Sequence, residues 1–415
     1  MNHVEISKVK EAASRLSDVA SLTPLTLNFN KTKEFDAKIY FKREDLQQVR
    51  SYKIRGAYNK ITSLSEDELV NGVVCASAGN HAQGVAYACY KKKIKGVIFM
   101  PTPTPKQKIE QVKMFGGEFI EIILTGDTFD DAYNESILFC EKNKMCFIPP
   151  FDDMKVIEGQ ATVGLELLEQ SSEPIDYIFL PVGGGGLITG VSSVFKQLSP
   201  ETKIIGVEPE GAPSMTKALE AGKPVRLEEI NKFIDGASVQ KVGALNFEIC
   251  KDKIDQMTTV PEGKVCQYIL DLYNKDAVVV EPAGALSVAV LDQFREEIKG
   301  KNVVCIISGS NNDITRTEEI KELALLHAGL KHYFIIRFPQ RAGALKEFIS
   351  EVLGPEDDIT HFEYSKKHNR NQGPAVIGIE LKNADSLEGL KQRMIDRKFF
   401  GEYLNNKPDL FQYLV

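Results

Sequence analysis

The residue best placed for covalent chemistry in this 415-residue chain is a lysine. The stretch Ser51-Tyr52-Lys53-Ile54-Arg55-Gly56-Ala57 stands just ahead of a helix-like run over residues 57–64. Positive potential from the helix N-terminus and from Arg55 lowers the pKa of Lys53 and frees its amine as a nucleophile. An amine of that kind condenses with an aldehyde, so Lys53 reads as the Schiff-base residue of an aldehyde cofactor. The chain carries 51 Lys and Arg in all, and most are solvated surface charge. Lys53 therefore gains its weight from the loops that accompany it.

Four consecutive glycines, Gly183, Gly184, Gly185 and Gly186, lie between an apolar run at 177–182 and a helix that starts at Leu187. Glycine admits a ligand close to the backbone, and a helix N-terminus offers unpaired N–H groups to an anion. One or two glycines suffice for a tight turn; four point to a phosphate. The loop of nucleoside triphosphatases, G-x-x-x-x-G-K-[ST], is absent. A dinucleotide fingerprint fails as well, because its sixth position falls on Ile188 or Thr189. Glu208, at the end of the next strand, keeps a ribose-binding alternative open.

A second loop, Ser77-Ala78-Gly79-Asn80-His81, combines small residues with a helix start. That arrangement seats a carboxylate, with Ser77 as an added donor. Asn80 is suited to a ring substituent. His81 is either an acid–base group or a structural histidine. A third loop, Ser308-Gly309-Ser310-Asn311-Asn312, follows the run 303–307. A serine there is a turn residue unless the other loops converge on it.

Elements of α/β type must position these loops. Residues 9–22 have helical periodicity. Runs at 37–43, 72–76, 96–100, 117–124, 145–148, 177–182, 203–207, 277–280 and 303–307 read as strands. Helices are expected over 82–93, 129–143 and 156–168 and from Leu187. Short apolar runs alternating with helices predict a mostly parallel sheet, with its site at the carboxyl ends of the strands. Near residue 330 the pattern changes. Strands at 332–338, 358–365 and 375–381 and helices at 344–353 and 385–397 give β-α-β-β-α, a small ferredoxin-like α+β unit. The boundary is placed at 323–331, giving domains 1–325 and 332–415.

Composition bounds the rest. A net charge of −7 argues against non-specific nucleic-acid binding. The seven cysteines are scattered, odd in number and without a C-x-x-C pair, so they read as free thiols in a reducing, cytoplasmic setting. The first residues lack a signal-peptide core, and no apolar stretch is long enough for a membrane span.

With the four motifs S-Y-K-I-R-G-A, S-A-G-N-H-A-Q-G, G-G-G-G-L and S-G-S-N in order, residues from about 5 to 320 closely resemble the threonine dehydratases. These are fold-type-II pyridoxal-phosphate enzymes, with a tryptophan-synthase-β-like, two-lobed catalytic domain. The tail resembles the ACT-like regulatory domain of biosynthetic members, Arg341-Ala342-Gly343-Ala344-Leu345 standing at the strand-to-helix turn. The resemblance implies pyridoxal 5′-phosphate held by Lys53, with Asn80 on its 3′-oxygen and Gly183, Gly184, Gly185, Gly186 and Leu187 around its phosphate. Ser308 is implied at the pyridine nitrogen, where a neutral hydroxyl makes a weaker electron sink suited to elimination. Ser77, Ala78, Gly79, Asn80 and His81 would seat the substrate carboxylate. The implied reaction takes L-threonine, with L-serine as a second candidate, to 2-oxobutanoate and ammonia. Lys53 removes the α-proton, and the cofactor phosphate protonates the departing hydroxyl. The implied setting is the first step toward isoleucine, in a homotetramer controlled by a branched-chain amino acid, isoleucine first among them. Serine racemase-like relatives bind a divalent cation through a Glu, a carbonyl and an Asp. Glu208 and Ala212 match the first two, but Ser214 replaces the Asp, so no metal is expected. The alternatives are a catabolic serine/threonine dehydratase and, from another class, an amino-acid-binding regulator with an inactive core.

Overall fold

Short apolar runs ending in small-residue loops become parallel strands when helices cover both faces, and that happens twice in this chain. The computed structural model describes residues 3–364 and 372–414. It divides into two units, Met1–Thr315 and Arg316–Val415.

The first unit contains two sheets. The larger runs Leu25–Leu27, Lys38–Arg43, Asn302–Ile307, Tyr177–Pro181, Lys203–Pro209, Gln256–Val260. All neighbours in it are parallel except the first pair. The smaller runs Ile120–Leu124, Gly96–Met100, Val73–Ala76, Cys146–Phe147 and is parallel throughout. Val73–Ala76 and Gly96–Met100 are buried at every residue, which is why they lack polar alternation.

Glycines bring the covering helices close together. A Cβ on Gly159, in the helix Met154–Gln170, would lie 2.5 Å from the carbonyl oxygen of Arg55. One on Gly190, in the helix Gly186–Leu198, would lie 2.6 Å from the amide nitrogen of Ala161. The helix Lys53–Thr62 is thereby held against Met154–Gln170, which in turn meets Gly186–Leu198.

The differences from the sequence reading have local causes. The first helix is Ile6–Leu16, and Lys106–Gly116 adds a helix not anticipated. The run 277–280 is no strand. Ala277 caps the helix Glu262–Asp276 at φ +53°, and the helix Pro282–Ala289 starts directly after Glu281. Too few residues remain to pair, and Gln256–Val260 takes the sheet edge instead.

The second unit carries an antiparallel sheet in the order Asp358–Tyr364, Gln372–Glu380, Lys331–Pro339, Phe400–Tyr403. With the helices Ala344–Glu351 and Ser386–Asp396 this completes a ferredoxin-like β-α-β-β-α-β arrangement. Phe334, Phe338, Phe348, Leu390 and Met394 form its core. The closing strand was not anticipated, because its four residues are only half-buried and do not alternate. Ser365, expected at the end of one strand, lies outside the described residues. The helix Thr317–His327 also belongs to this unit: its Glu322 accepts from the Tyr333 hydroxyl at 2.6 Å and pairs with Lys331 at 3.1 Å. Among the described residues no helix is long and apolar enough to cross a membrane.

Candidate active site

The strands Asn302–Ile307 and Tyr177–Pro181 are adjacent and parallel, so the Ser308 loop and the glycine loop leave the sheet side by side. Lys53 is the first residue of its helix. The segment before it is stitched to the Ser308 loop: the Tyr52 N–H donates to the Ser308 carbonyl at 3.2 Å, and Ser51 forms a bridge with Gly309. The Lys53 Nζ donates to the Pro150 carbonyl at 3.0 Å and stands 5.9 Å from the Phe151 ring centre. That ring lies against Gly184, where a Cβ would meet it at 2.3 Å. Lys53 and the glycine loop therefore share one wall, residues 150–151.

The 77–81 loop arrives from the smaller sheet, after Val73–Ala76, and Asn80 opens the helix Asn80–Lys92. The Asn80 Nδ2 donates to both carboxylate oxygens of Glu281, at 2.8 and 3.0 Å. Its Oδ1 accepts from the Asn311 side chain, beyond Ser308. Lys53, Asn80, Ser308 and the glycine loop are thus gathered from four chain segments.

Burial lowers the Lys53 amine to about 8, against an opposing pull from Glu281. Desolvation penalises the charged form, which leaves a larger share of free amine at neutral pH. Arg55 is not the cause anticipated from the sequence. Its guanidinium turns away into Glu44 and Glu166, which neutralise it. Two residues apart on a helix means different faces, so adjacency in sequence gave no contact. His81 is buried, and its Nε2 meets the Ile148 carbonyl at 2.9 Å. Burial and then the Lys53 charge push it down to about 3, so the ring is neutral across the physiological range. This favours the structural alternative for its side chain.

Gly185 has φ +97° and precedes the helix Gly186–Leu198, which has no side-chain cap. The first N–H groups of such a helix lack intrahelical acceptors and face the loop. The loop is pinned from behind. The Gly184 carbonyl accepts from the Gly243 N–H at 3.0 Å and from Asn246 Nδ2 at 3.1 Å, and the same Nδ2 reaches the Phe151 carbonyl at 3.0 Å. Cβ atoms at Gly183, Gly184 and Gly186 would crowd Ala237 or Phe151. A bare backbone cradle at a helix start fits a phosphate. At the 77–81 loop the Ser77 hydroxyl accepts from the Gly79 N–H at 3.2 Å, and a Cβ on Gly79 would meet nothing within 4 Å. That open, uncapped helix start fits a carboxylate.

Glu281, Phe151 and Asn246 escaped the sequence reading, and Asn311 was named there only as part of its loop, without its contact to Asn80. Glu281-Pro282 carries a helix-start signal, with proline at the first helical position. The apolar run 277–280, read as a strand, hid it. Glu208 is buried at the end of Lys203–Pro209 and faces the helix Ser214–Ala221. It accepts from the N–H groups of Met215 at 2.6 Å and Thr216 at 2.9 Å and from the Thr216 hydroxyl at 2.7 Å. A carboxylate so committed caps a helix and does not reach out to a ribose.

Residues 16–309 match the family described as pyridoxal-phosphate dependent enzyme, and residues 322–414 match the C-terminal regulatory domain of threonine dehydratase. The chain therefore belongs to the pyridoxal-phosphate-dependent enzymes and, within them, to the threonine dehydratases that carry a C-terminal regulatory domain. Over 415 residues it is 54% identical to the biosynthetic L-threonine dehydratase of Halalkalibacterium halodurans, covering 100% of both chains. Over 412 residues it is 52% identical to that of Bacillus subtilis, covering 99% of this chain and 98% of the relative. Among solved structures, threonine deaminase isoform 2 of Solanum lycopersicum in its processed form superposes with a TM-score of 0.73 at 41% identity. It covers 78% of this chain and 95% of its own. Maize serine racemase gives 0.72 at 32% identity, covering 79% and 99%.

Proposed function

We propose that this protein deaminates L-threonine to 2-oxobutanoate and ammonia as a committed biosynthetic step, in the cytoplasm. The observation that carries this reading is the desolvated Lys53 amine, beside a bare glycine cradle and an uncapped helix start. Full-length likeness to biosynthetic threonine dehydratases supports the choice of substrate. Pyridoxal phosphate, when bound, supplies an aldehyde for the amino acid and a conjugated ring that takes up the electron pair released at Cα. In this reading the amides of Gly183, Gly184, Gly185, Gly186 and Leu187 hold its phosphate, Asn80 its ring oxygen and Ser308 its ring nitrogen. The backbone of Ser77, Ala78, Gly79, Asn80 and His81 holds the substrate carboxylate at a helix N-terminus. The free Lys53 amine takes the proton from Cα. The β-hydroxyl leaves as water with one added proton, for which the cofactor phosphate would be the donor, and the released enamine takes up water to give the 2-oxo acid and ammonia.

We assign catalysis to the first unit, Met1–Thr315, and regulation to the second, Arg316–Val415, which takes in the helix Thr317–His327 that the boundary at 323–331 divides. A cavity of about 450 Å³ in the second unit is lined by Phe338, Phe362, Tyr364 and the turn from Pro339 to Leu345. Gly343, at φ +83°, opens the helix Ala344–Glu351 beside it. Aromatic walls next to a helix N-terminus suit an apolar side chain and a carboxylate, which supports a branched-chain amino acid, isoleucine, as effector. We assign a homotetramer as the assembly.

The test is to incubate purified protein with L-threonine and then L-serine, following 2-oxo acid formation with and without isoleucine. Threonine turnover lost in Lys53→Ala and inhibited by isoleucine is expected. A preference for serine with no response to isoleucine would favour a catabolic dehydratase. No turnover by cofactor-loaded protein would defeat the reading. Light scattering at working concentration checks the tetramer.

A further inference from the structure

The buried carboxylate of Glu281 touches more of the proposed site than any residue singled out from the sequence. Its two oxygens stand 2.8 and 3.0 Å from the Asn80 Nδ2, close enough together to share one N–H and leave the other free for the cofactor. One of its oxygens also accepts the Asn311 backbone N–H at 3.2 Å, and its own N–H donates to the Gly309 carbonyl at 3.1 Å. The carboxylate lies so close to the Ser308 loop that a Cβ on Gly309 would come within 2.5 Å of Glu281 Oε1. Glu281 is 5% exposed.

We propose that Glu281 is a positioning residue for the cofactor, acting through Asn80. Above about pH 7 the Glu281 carboxyl is ionised and only accepts hydrogen bonds, so the atom of Asn80 that faces it must be the amide nitrogen. The Asn80 Oδ1 is then directed to Asn311, whose Nδ2 is anchored in turn on the Val49 carbonyl at 3.1 Å. Glu281 thus selects one of the two amide orientations and ties the smaller-sheet loop to the Ser308 loop. A neutral amide held by a charge-assisted hydrogen bond is fixed more firmly than one held by water. The charged groups acting on Glu281 and Lys53 fit this placement. Burial pushes the Glu281 carboxyl up to about 7, Asn80 and Asn311 pull it back, Asp235 raises it and Lys108 lowers it. The Glu281 charge in turn raises the Lys53 amine against the burial that lowers it.

The proposal rests on Asn80 contacting the cofactor, and the experiment separates the two ideas. Dissociation constants for pyridoxal phosphate are measured by absorbance titration of full-length apoprotein, for wild type, Asn80→Ala, Glu281→Ala, Glu281→Gln and the double variant Asn80→Ala/Glu281→Ala. Far-UV circular dichroism checks folding. Asn80→Ala and Glu281→Ala should each weaken binding roughly tenfold, the worth of one charge-assisted bond. The double variant should be no worse than either single one, because the two act as a unit. Glu281→Gln keeps an acceptor oxygen and should restore binding to within a few-fold of wild type. If Glu281→Ala does not fold, Glu281→Asp takes its place in the cycle, since its shorter side chain withdraws the acceptor from Asn80. Additive effects, or wild-type affinity in both Glu281→Ala and Glu281→Asp, would overturn the proposal while leaving Asn80 as a contact. Wild-type affinity in Asn80→Ala would overturn the contact, and the proposal with it.

Discussion

Arg55 places Nε and Nη2 on the two carboxylate oxygens of Glu44, each at 2.8 Å, with both side chains almost wholly sealed from solvent. Its Nη2 also reaches Glu166 at 2.9 Å, and Lys42 pairs with Glu166 from the other side. Two positive and two negative groups close on themselves. The four charges balance, so removing any one of them leaves an excess charge buried.

Glu44→Gln should therefore lower the unfolding free energy by about 3–5 kcal/mol, since Glu166 alone is then left to balance the buried charges of Arg55 and Lys42. Burial alone would raise the Glu44 carboxyl, but Arg55 and then Lys42 more than reverse this and hold it below its ordinary 4.5. A carboxyl held down in the folded state contributes stability above its unfolded value, and loses it as pH falls through the lower folded one. Urea unfolding at pH 7 and at decreasing pH checks both points. The gap between wild type and variant should shrink in acid. A gap under about 1 kcal/mol at pH 7 would mean the pair behaves like an exposed one.

Lys53 supplies a direct pH test. With its amine lowered to about 8 by burial, the free-base fraction rises through pH 8. The rate at which apoprotein forms its coloured adduct with pyridoxal phosphate should rise with that midpoint. A midpoint near the ordinary lysine value of 10.5 would show that the amine is solvated. Lys53→Ala should form no specific adduct.

Gly185 sits at φ +97°, a conformation that costs an L residue roughly 1–2 kcal/mol. A Cβ there would also approach Asn246 Cβ and Met215 Cε, each at 3.1 Å. Gly185→Ala should bend the phosphate cradle and raise the dissociation constant of the cofactor about tenfold or more, while the unfolding free energy of the apoprotein falls by roughly 1–2 kcal/mol. Unchanged cofactor affinity would place the phosphate elsewhere.

Glu208 gives a test of a residue outside the chemistry. Burial pushes its carboxyl up to about 7, against the pull of the Met215 and Thr216 N–H groups and the Thr216 and Ser214 hydroxyls. A carboxyl raised in the folded state contributes stability that is fully present below its unfolded value and lost as pH rises through the folded one. Glu208→Gln cannot ionise. The stability of wild type relative to this variant should therefore fall between about pH 4.5 and 7. A flat difference across that range would refute the shift. Cofactor affinity should stay at the wild-type level throughout.

Four motifs, the parallel α/β character and the change near residue 330 were legible in the sequence because each is local. Apolar runs, glycine clusters and helix starts follow from backbone sterics and from the period of the pattern. What could not be read is the direction in which side chains point. Arg55 looked like a neighbour of Lys53, and the helix turned it toward Glu44. Glu208 looked like a ligand-binding acid, and its carboxylate caps a helix. The run 277–280 looked like a strand, and caps on both sides left it unpaired.

The sequence alone determined which chemistry is available: one lysine at a helix start, a glycine cradle, a small-residue loop and a serine at a strand end. Only the tertiary structure decided how those groups are wired. The union of Asn80 with Glu281, 201 residues apart, and of Lys53 with residues 150–151 depends on which strands lie side by side. Strand order is fixed by packing over the whole unit, where burial of every face must be satisfied at once, and no local pattern encodes it.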